Sequence, residues 1–334
     1  MTLRRRSPRR QRGAAILLAM LIMTLVATLA AGMVWLQWRG IEVETAERAR
    51  GQSEWLLNAA LDWGELILKS SIRNNYSEDD LGQPWATPLA ETKLSSFLSA
   101  DGSHSDDSGP EAFLSGQITD AQSKYNLYDL FVDATLGRTE LMRFQTLCTA
   151  IGVSQDVATT IAAGLAASYS AQTQASSGSG QKDTTNAVLM PSQVSDLAWY
   201  GIDPKVVQQL EPYVQLLPTG VYTEINANTA PAEVLMAALP SISRAQAEQM
   251  IQSRQRKPFT SPGLACTAAG IGATCGTGTS TGPTNRVAVK SSYFEVYGQL
   301  RFEQNVVRER SVVNRVSASL VTVVRRERLP PDAP

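Results

Sequence analysis

The longest hydrophobic pattern in the chain is a run of 25 residues, Ala14 to Trp38, without a single charge. At about 1.5 Å per residue it makes a helix long enough to cross the ~30 Å hydrocarbon core of a bilayer, with its backbone groups satisfied internally. The helical pattern does not stop there. No proline falls between Glu42 and Lys69, and Leu56, Ala59, Ala60, Trp63 and Ile67 recur at helical spacing. The same helix is therefore expected to continue as an amphipathic rod whose stripe needs a sheet to cover. Asn74 and Asn75 mark its predicted end. The segment EDDLGQPWATPLAE holds two prolines and predicts an irregular crossing, ADGSHSDDSGPE predicts a polar turn, and Ala112 to Thr119 predicts a strand.

From Ala134 to about Lys257 the spacing turns helical. Leu141, Phe144, Leu147, Cys148 and Ile151 share one helix face, with Cys148 as a core residue. Ser154 caps a helix carrying Val157, Ile161 and Leu165. Ser170 to Thr185 is poor in apolar residues and rich in Ser, Gln and Gly, which predicts a flexible loop. Asp203 before Pro204 is an N-cap followed by a first-turn proline. A further helix is expected from near Thr229 through Val234 and Leu235, and Ser243 with Gln246 has capping-box spacing. Strand patterning returns at the end. Phe294, Val296, Leu300 and Phe302 alternate with Tyr293, Glu295, Tyr297 and Arg301; Val316, Ala318 and Leu320 alternate next, with Gln304 to Arg310 as the connecting hairpin. The expectation is an α+β chain: a long N-terminal transmembrane helix packed on a small antiparallel sheet, interrupted by a large all-helical insertion. Its expected segments are a leader (1–13), a span (14–38), the helix continuation and first strands (39–132), the inserted helical domain (133–260), and a Cys/Gly-rich loop with the final strands (261–334).

Charge sets the orientation. Arg4, Arg5, Arg6, Arg9, Arg10 and Arg12 crowd the stub before the apolar run, which keeps that end in the cytoplasm and sends the rest across. A secretory signal peptide has a shorter apolar region with the small residue after it, whereas Gly13 stands before this one. An ordinary signal anchor remains an alternative. The net charge of −1 and pI of about 6.0 announce no nucleic-acid-binding surface. Cys266 and Cys275, nine positions apart in a glycine-rich stretch, are disulfide candidates in an oxidising compartment. Two cysteines with no histidine nearby make a poor metal site.

Catalytic chemistry has little footing. The one histidine, His104, lies in a polar turn, and no H-E-x-x-H or Walker motif is present. The run GTGTSTG, Gly276 to Gly282, lacks dinucleotide-loop spacing and predicts a plain loop. Thr223 to Phe259 resembles a helix-hairpin-helix, a unit that often binds DNA backbone. Its hairpin, Pro240, Ser241, Ile242 and Ser243, lacks the glycines that admit a phosphate, and its local cations are only Arg244, Arg254, Arg256 and Lys257. A packing module is the better expectation; a membrane-anchored DNA receptor is the rival.

The junction RGAAILLAML resembles the type IV pilin-like class III signal. Together with GQPWATPLAE, ITDAQSKYNLYDL, LPTGVYTEINANTAPAEVLMAALP and the terminal strand pair, it makes the chain similar to the K-class minor pseudopilins of the type II secretion system. The resemblance implies cleavage by prepilin peptidase between Gly13 and Ala14 and N-methylation of Ala14. It implies a place at the tip of a periplasmic pseudopilus, the I- and J-class minor pseudopilins as partners, an inner-membrane location and no catalytic role. Most pseudopilins carry a glutamate at the position of Leu18; the K class generally does not. The family's calcium-associated loop corresponds to AAGLAASYSAQTQASSGSGQKDTTNAV, where Asp183 is the only carboxylate. Calcium takes six to eight oxygens, so one carboxylate is a weak donor set and no cofactor is expected to be required.

Overall fold

The computed structural model describes residues 12–73, 77–93, 112–131, 137–177, 188–218, 222–239, 242–272, 286–302 and 305–330. In chain order the elements open with α1 (Arg12–Arg73), β1 (Leu89–Lys93), β2 (Ala112–Asp120) and β3 (Tyr125–Asn126). There follow α2 (Gly137–Ala150), α3 (Gln155–Ser177), α4 (Pro204–Leu210), β4 (Val214–Gln215), β5 (Ile225–Asn226), α5 (Ala232–Ala238), α6 (Arg244–Arg256) and α7 (Pro262–Ala268). The chain closes with β6 (Val287–Ala288), β7 (Tyr293–Phe302), β8 (Asn305–Arg315) and β9 (Val321–Leu329). Two compact units result, one ending at Leu56 and one beginning at Leu57.

In the first unit α1 is helix alone. Every large apolar residue from Ile16 to Val43 is exposed. A helix apolar on all sides with no protein against it needs lipid or other helices around it. Beyond the span, Arg48 with Glu44 and Arg50 with Glu54 form i,i+4 pairs that support the helix where it meets water.

In the second unit the last turns of α1 lie on a five-stranded antiparallel sheet of order β1-β2-β7-β8-β9. Leu57, Leu61, Gly64 and Leu68 are the buried stripe. The expected stripe was displaced: Leu56, Ala60 and Ile67 are only half-buried, and Ala59 and Trp63 face outward. Steric fit explains the shift. A Cβ on Gly64 would lie 2.9 Å from Val296 Cγ1, and one on Gly298 would lie 2.9 Å from Leu57 Cδ1. The helix settles where backbone can approach backbone, not along its most hydrophobic line. The core beneath it consists of Leu61, Leu68, Trp85, Ile118, Phe294, Val296, Val313 and Val321. Trp85 stands edge-on to Phe294, with centroids 5.2 Å apart, and donates its indole N–H to Gln83 Oε1 at 2.7 Å.

The strand β7 alternates buried and half-buried positions as its sequence predicts. The segment expected to be a hairpin, Gln304 to Arg310, instead belongs almost wholly to β8, which pairs with β7 from Phe302↔Asn305 to Tyr293↔Asn314. Arg308, Glu309 and Arg310 disguise it. Each has a cross-strand partner: Arg308 donates to Gln299 Oε1 at 2.8 Å, Glu309 pairs with Arg326 at 3.2 Å, and Arg310 pairs with Glu327. Val316, Ala318 and Leu320 lie in the β8–β9 connection, and the last strand begins at Val321.

Between β2 and β7 the chain builds a helical layer. Its core runs from Tyr125 to Val289 and buries Phe144, Leu147, Cys148, Ile161, Leu165, Leu197, Leu210, Leu235 and Met250 completely. Burial pushes the Cys148 thiol up to about 12. All three predicted caps form, Ser154 accepting from the Asp156 amide at 3.2 Å ahead of α3. Asp203 accepts from Lys205 N at 2.8 Å, and Ser243 and Gln246 close a capping box on α6. Two expectations fail here. α3 continues through the first half of the expected loop, as far as Ser177, with Ser170 and Thr173 bonding back onto the carbonyls of Ala166 and Tyr169; Gly178 to Thr185 lie outside the described residues. α5 starts at Ala232, after Pro231, because Thr229 and Asn228 are engaged in a tight turn. Asn74, Asn75 and the polar turn from Asp101 to Glu111 lie outside the described residues.

A buried ion cluster ties the layer's segments together. Arg286 pairs with Glu140 at 2.9 Å and Asp129 at 3.5 Å, and its guanidinium lies 3.9 Å from the Tyr222 ring centroid. Arg143 pairs with Glu140 and donates to the carbonyls of Ala237 and Ala238, satisfying the C-terminal end of α5. Burial raises Asp129 from its ordinary 3.8 to about 7, against the pull of Arg286. A carboxyl with a raised pKa in the folded chain adds most stability below its ordinary value and loses it as pH rises through about 7.

Arg286→Met is therefore expected to cost about 3–5 kcal/mol at pH 8, where Asp129 loses its cation and must either stay charged in a buried site or take up a proton. The loss should shrink at pH 5.5, where a proton replaces the cation. Thermal unfolding of the detergent-solubilised chain at both values checks this; equal losses would exclude Asp129 as the titrating group. In the sheet, a Cβ on Gly116 would sit 2.7 Å from the Tyr297 carbonyl oxygen, which is backbone and cannot step aside. Gly116→Ala should lower stability by about 1–3 kcal/mol in the same measurement.

Candidate assembly site

The processing junction lies at the start of α1. Gly13 and Ala14 fall within its first turn, Leu18 one turn further on is exposed, and residues 1–11 lie outside the described residues. From Ala14 the first carboxylate is Glu42. Within the run, Thr24 and Thr28 donate to the carbonyls of Leu21 and Leu25 at 3.0 and 2.9 Å, so neither hydroxyl is left bare in a solvent that offers no partner. At the far end Trp35, Trp38 and Arg39 gather, with Arg39 5.5 Å from the Trp35 ring centroid. Amphipathic rings with a flanking cation are typical of the headgroup level.

The segments ITDAQSKYNLYDL and TEINANTAP meet where the helical layer joins the sheet. Asp120, the last residue of β2, turns its carboxylate into the joint. Its Oδ2 accepts from Asn226 Nδ2 at 2.9 Å, Thr229 Oγ1 at 2.6 Å and Ser291 Oγ at 2.7 Å, and its Oδ1 accepts from the Gln122 amide at 2.8 Å. Burial raises its carboxyl to about 6, with these four donors drawing it back. Asn226 Nδ2 also lies 3.0 Å from the Asp79 carbonyl and from Ser291 Oγ. Gln122 donates to Glu224 O at 2.8 Å and accepts from the amide of Ser292. Arg315 completes the joint. It donates to Ser71 Oγ near the end of α1, to Asp79 Oδ2 and to the Ser291 carbonyl, at 2.6, 2.5 and 2.7 Å. Asp79, Asp120, Asn226, Ser291 and Arg315 are all buried. Nothing in the sequence assigned these residues a role. The available hint was Asp120 and Asn226, acids and amides interrupting short strand-like runs.

The helix pair α5–α6 uses its cations internally. Arg244 pairs with Glu233 at 2.8 Å and Glu248 at 3.1 Å. Arg254 donates from one nitrogen to the carbonyls of Ala227 and Ala230, both at 2.7 Å, and burial lowers it to about 10. Of the four cations that could have met a phosphate, Arg254 is thus holding the turn into α5 and Arg244 is paired with carboxylates of α5 and α6. Pro240 and Ser241 of the hairpin lie outside the described residues. Cys266 is fully buried and disulfide-bonded, while Cys148 is a free thiol. Cys275, Asp183, His104 and Gly276 to Gly282 lie outside the described residues. Among the described residues no group of three or more His, Cys, Asp or Glu side chains is arranged to hold a metal.

Residues 123–219 and 225–274 match two family models, both described as type II secretion system (T2SS), protein K. The type II secretion system protein K of Pectobacterium carotovorum subsp. carotovorum is 28% identical over 342 residues, spanning 95% of this chain and 96% of that protein. The protein of the same name from Pseudomonas aeruginosa PAO1 is 25% identical over 271 residues, spanning 76% and 75%. A chain in the crystal structure of the GspK–GspI–GspJ complex from enterotoxigenic Escherichia coli shares the fold with a TM-score of 0.58 at 17% identity, covering 85% of this chain and 98% of that one. A helix apolar enough to cross a bilayer, a small antiparallel sheet and a helical layer inserted in it thus accompany matches along most of the chain, which belongs to the type II secretion system protein K family.

Proposed function

We propose that this chain caps the tip of the periplasmic pseudopilus of a type II secretion system, helping to start its assembly and so to export folded proteins across the outer membrane. Members of the family are minor pseudopilins, structural subunits rather than enzymes, anchored in the inner membrane by one N-terminal helix with the body in the periplasm. The observation that carries the finer reading is α1, a single helix of 62 residues whose N-terminal part is bare apolar surface and whose last turns are buried on the sheet. Such a helix can be stored in lipid and then withdrawn into a bundle of like helices. The inserted helical layer adds bulk that a repeating subunit would have to accommodate above it, and this favours an end position.

Processing fits the same reading. Cleavage between Gly13 and Ala14 by prepilin peptidase would remove the arginines and leave an N-methylated amine on Ala14. Leu18 offers no carboxylate to a neighbour's amine, so this subunit makes no demand for a partner below it, while its own amine can be met by another subunit's glutamate. The I- and J-class minor pseudopilins are the partners we assign, supported by the likeness to a chain from a complex that contains GspI and GspJ. Cys266 is assigned to pair with Cys275. No cofactor is required by this reading, and Asp183 alone does not supply a calcium site.

The test is the intact mass of the chain recovered from cells that contain the peptidase. Loss of residues 1–13 plus one methyl group is expected, and the trimmed chain should co-purify with the I- and J-class proteins. Gly13→Val should leave the leader attached. A native product that keeps its arginines, or one shortened past Trp38, would overturn the proposal.

A further inference from the structure

Among the described residues the second unit contains two large hydrophobic cores that form separate clusters. One lies between α1 and the sheet, around Leu61, Trp85 and Phe294; the other fills the helical layer, around Phe144, Leu197 and Leu235. The apolar cluster at their boundary is small: Ala121, Leu217 and Val312, flanked by Tyr293 and Val324. Much of the remaining contact is polar and buried, centred on Asn226 and Asp120. The side chain of Asn226, from the helical layer, reaches the end of β2 through Asp120, the segment after α1 through the Asp79 carbonyl, and the lead into β7 through Ser291. Thr229 adds a second bond from the same side.

Apolar joints and polar joints fail differently. Packed hydrocarbon surfaces can slide and still exclude water, so their energy falls gradually. Buried hydrogen bonds act over a few tenths of an ångström, and a partner left unpaired costs more than the bond was worth, so a buried network tends to hold or fail as a whole. Where two separately cored bodies meet through such a network, cooperativity between them depends on a few side chains, and each body can open as its own unit.

We propose that the Asn226–Asp120 contact is a latch. While it is closed, the helical layer and the α1-bearing sheet unfold as one; when it is lost, the helical layer unseats as an intact body with its own core still closed. This gives the inserted layer a way to alter its seating on the sheet without either core opening. The proposal rests on the two cores and the joint, and it stands whether or not the chain occupies a tip.

The test is hydrogen exchange and thermal unfolding of the full chain in detergent, wild type against Asn226→Ala. Wild type is expected to melt in one transition. The variant should melt in two, with exchange at residues 226–229 and 291–292 accelerated about tenfold or more, the factor set by roughly 1.4 kcal/mol of lost joint energy. Exchange at Leu147, Cys148, Val296 and Leu300 should change far less. A single transition lowered as a whole, with exchange accelerated alike in both cores, would overturn the latch, as would two transitions in the wild type. If Asn226→Ala does not accumulate in folded form, Thr229→Val, which removes the bond to Asp120 and a long one to the Asn226 carbonyl, carries the test: a measurable separation of the two midpoints supports the latch and a single one rejects it.

Discussion

One helix has to satisfy two solvents along its axis, and the body of the molecule is organised around that demand. Up to about Trp38, α1 needs surroundings that accept apolar side chains on every side. From Leu57 onward it needs something to cover one stripe and water for the rest. A helix in water with an uncovered apolar face is not stable by propensity alone. The antiparallel sheet supplies the cover, and Gly64 and Gly298 let it come close enough. Arg326 fixes the arrangement from the edge strand, donating to Asn58 at 2.6 Å and pairing with both Asp62 and Glu309.

The helical layer is solved differently. It has a hydrophobic interior of its own and needs the sheet mainly for position. Its interior cations and acids are spent on backbone ends and on one another: Arg143 on the carbonyls ending α5, Arg254 on the turn before it, Arg286 between Asp129 and Glu140. Replacing such groups by hydrocarbon of similar volume is often harmless in stability, so their presence is better explained by geometry than by energy. Directional bonds determine which segment lies against which, in a layer whose short strands β3, β4, β5 and β6 pair over only two residues each.

What the sequence made legible follows from how local each signal is. The span needed only a gap in charge. The caps of α4 and α6 needed residues three or fewer apart. The β7 face showed because its alternation was unbroken. The stripe on α1 was misplaced by one position because the deciding contact was with Gly298 and Val296, far along the chain, and no property of the helix alone revealed it. The strand β8 was hidden by Arg308, Glu309 and Arg310, whose cross-strand partners lie on β7 and β9. The joint was the least legible part. Asn226 and the Asp79 carbonyl are 147 positions apart, and Arg315 is 244 from Ser71. Asp120 and Asn226 could be seen as polar residues in odd places, but not as each other's partners.

The burial of Cys148 has a consequence for biogenesis. It is the third thiol of a chain whose body matures among oxidants, and it sits in the last turn of α2 with no solvent access. Helix packing is all that shields it, so before α2 and α3 close over it any oxidase reaching the nascent chain meets three sulfurs rather than two. Collapse of that helix pair has to outrun thiol oxidation, and chains in which it lags would accumulate scrambled isomers that no longer fit the interior they were meant to fill.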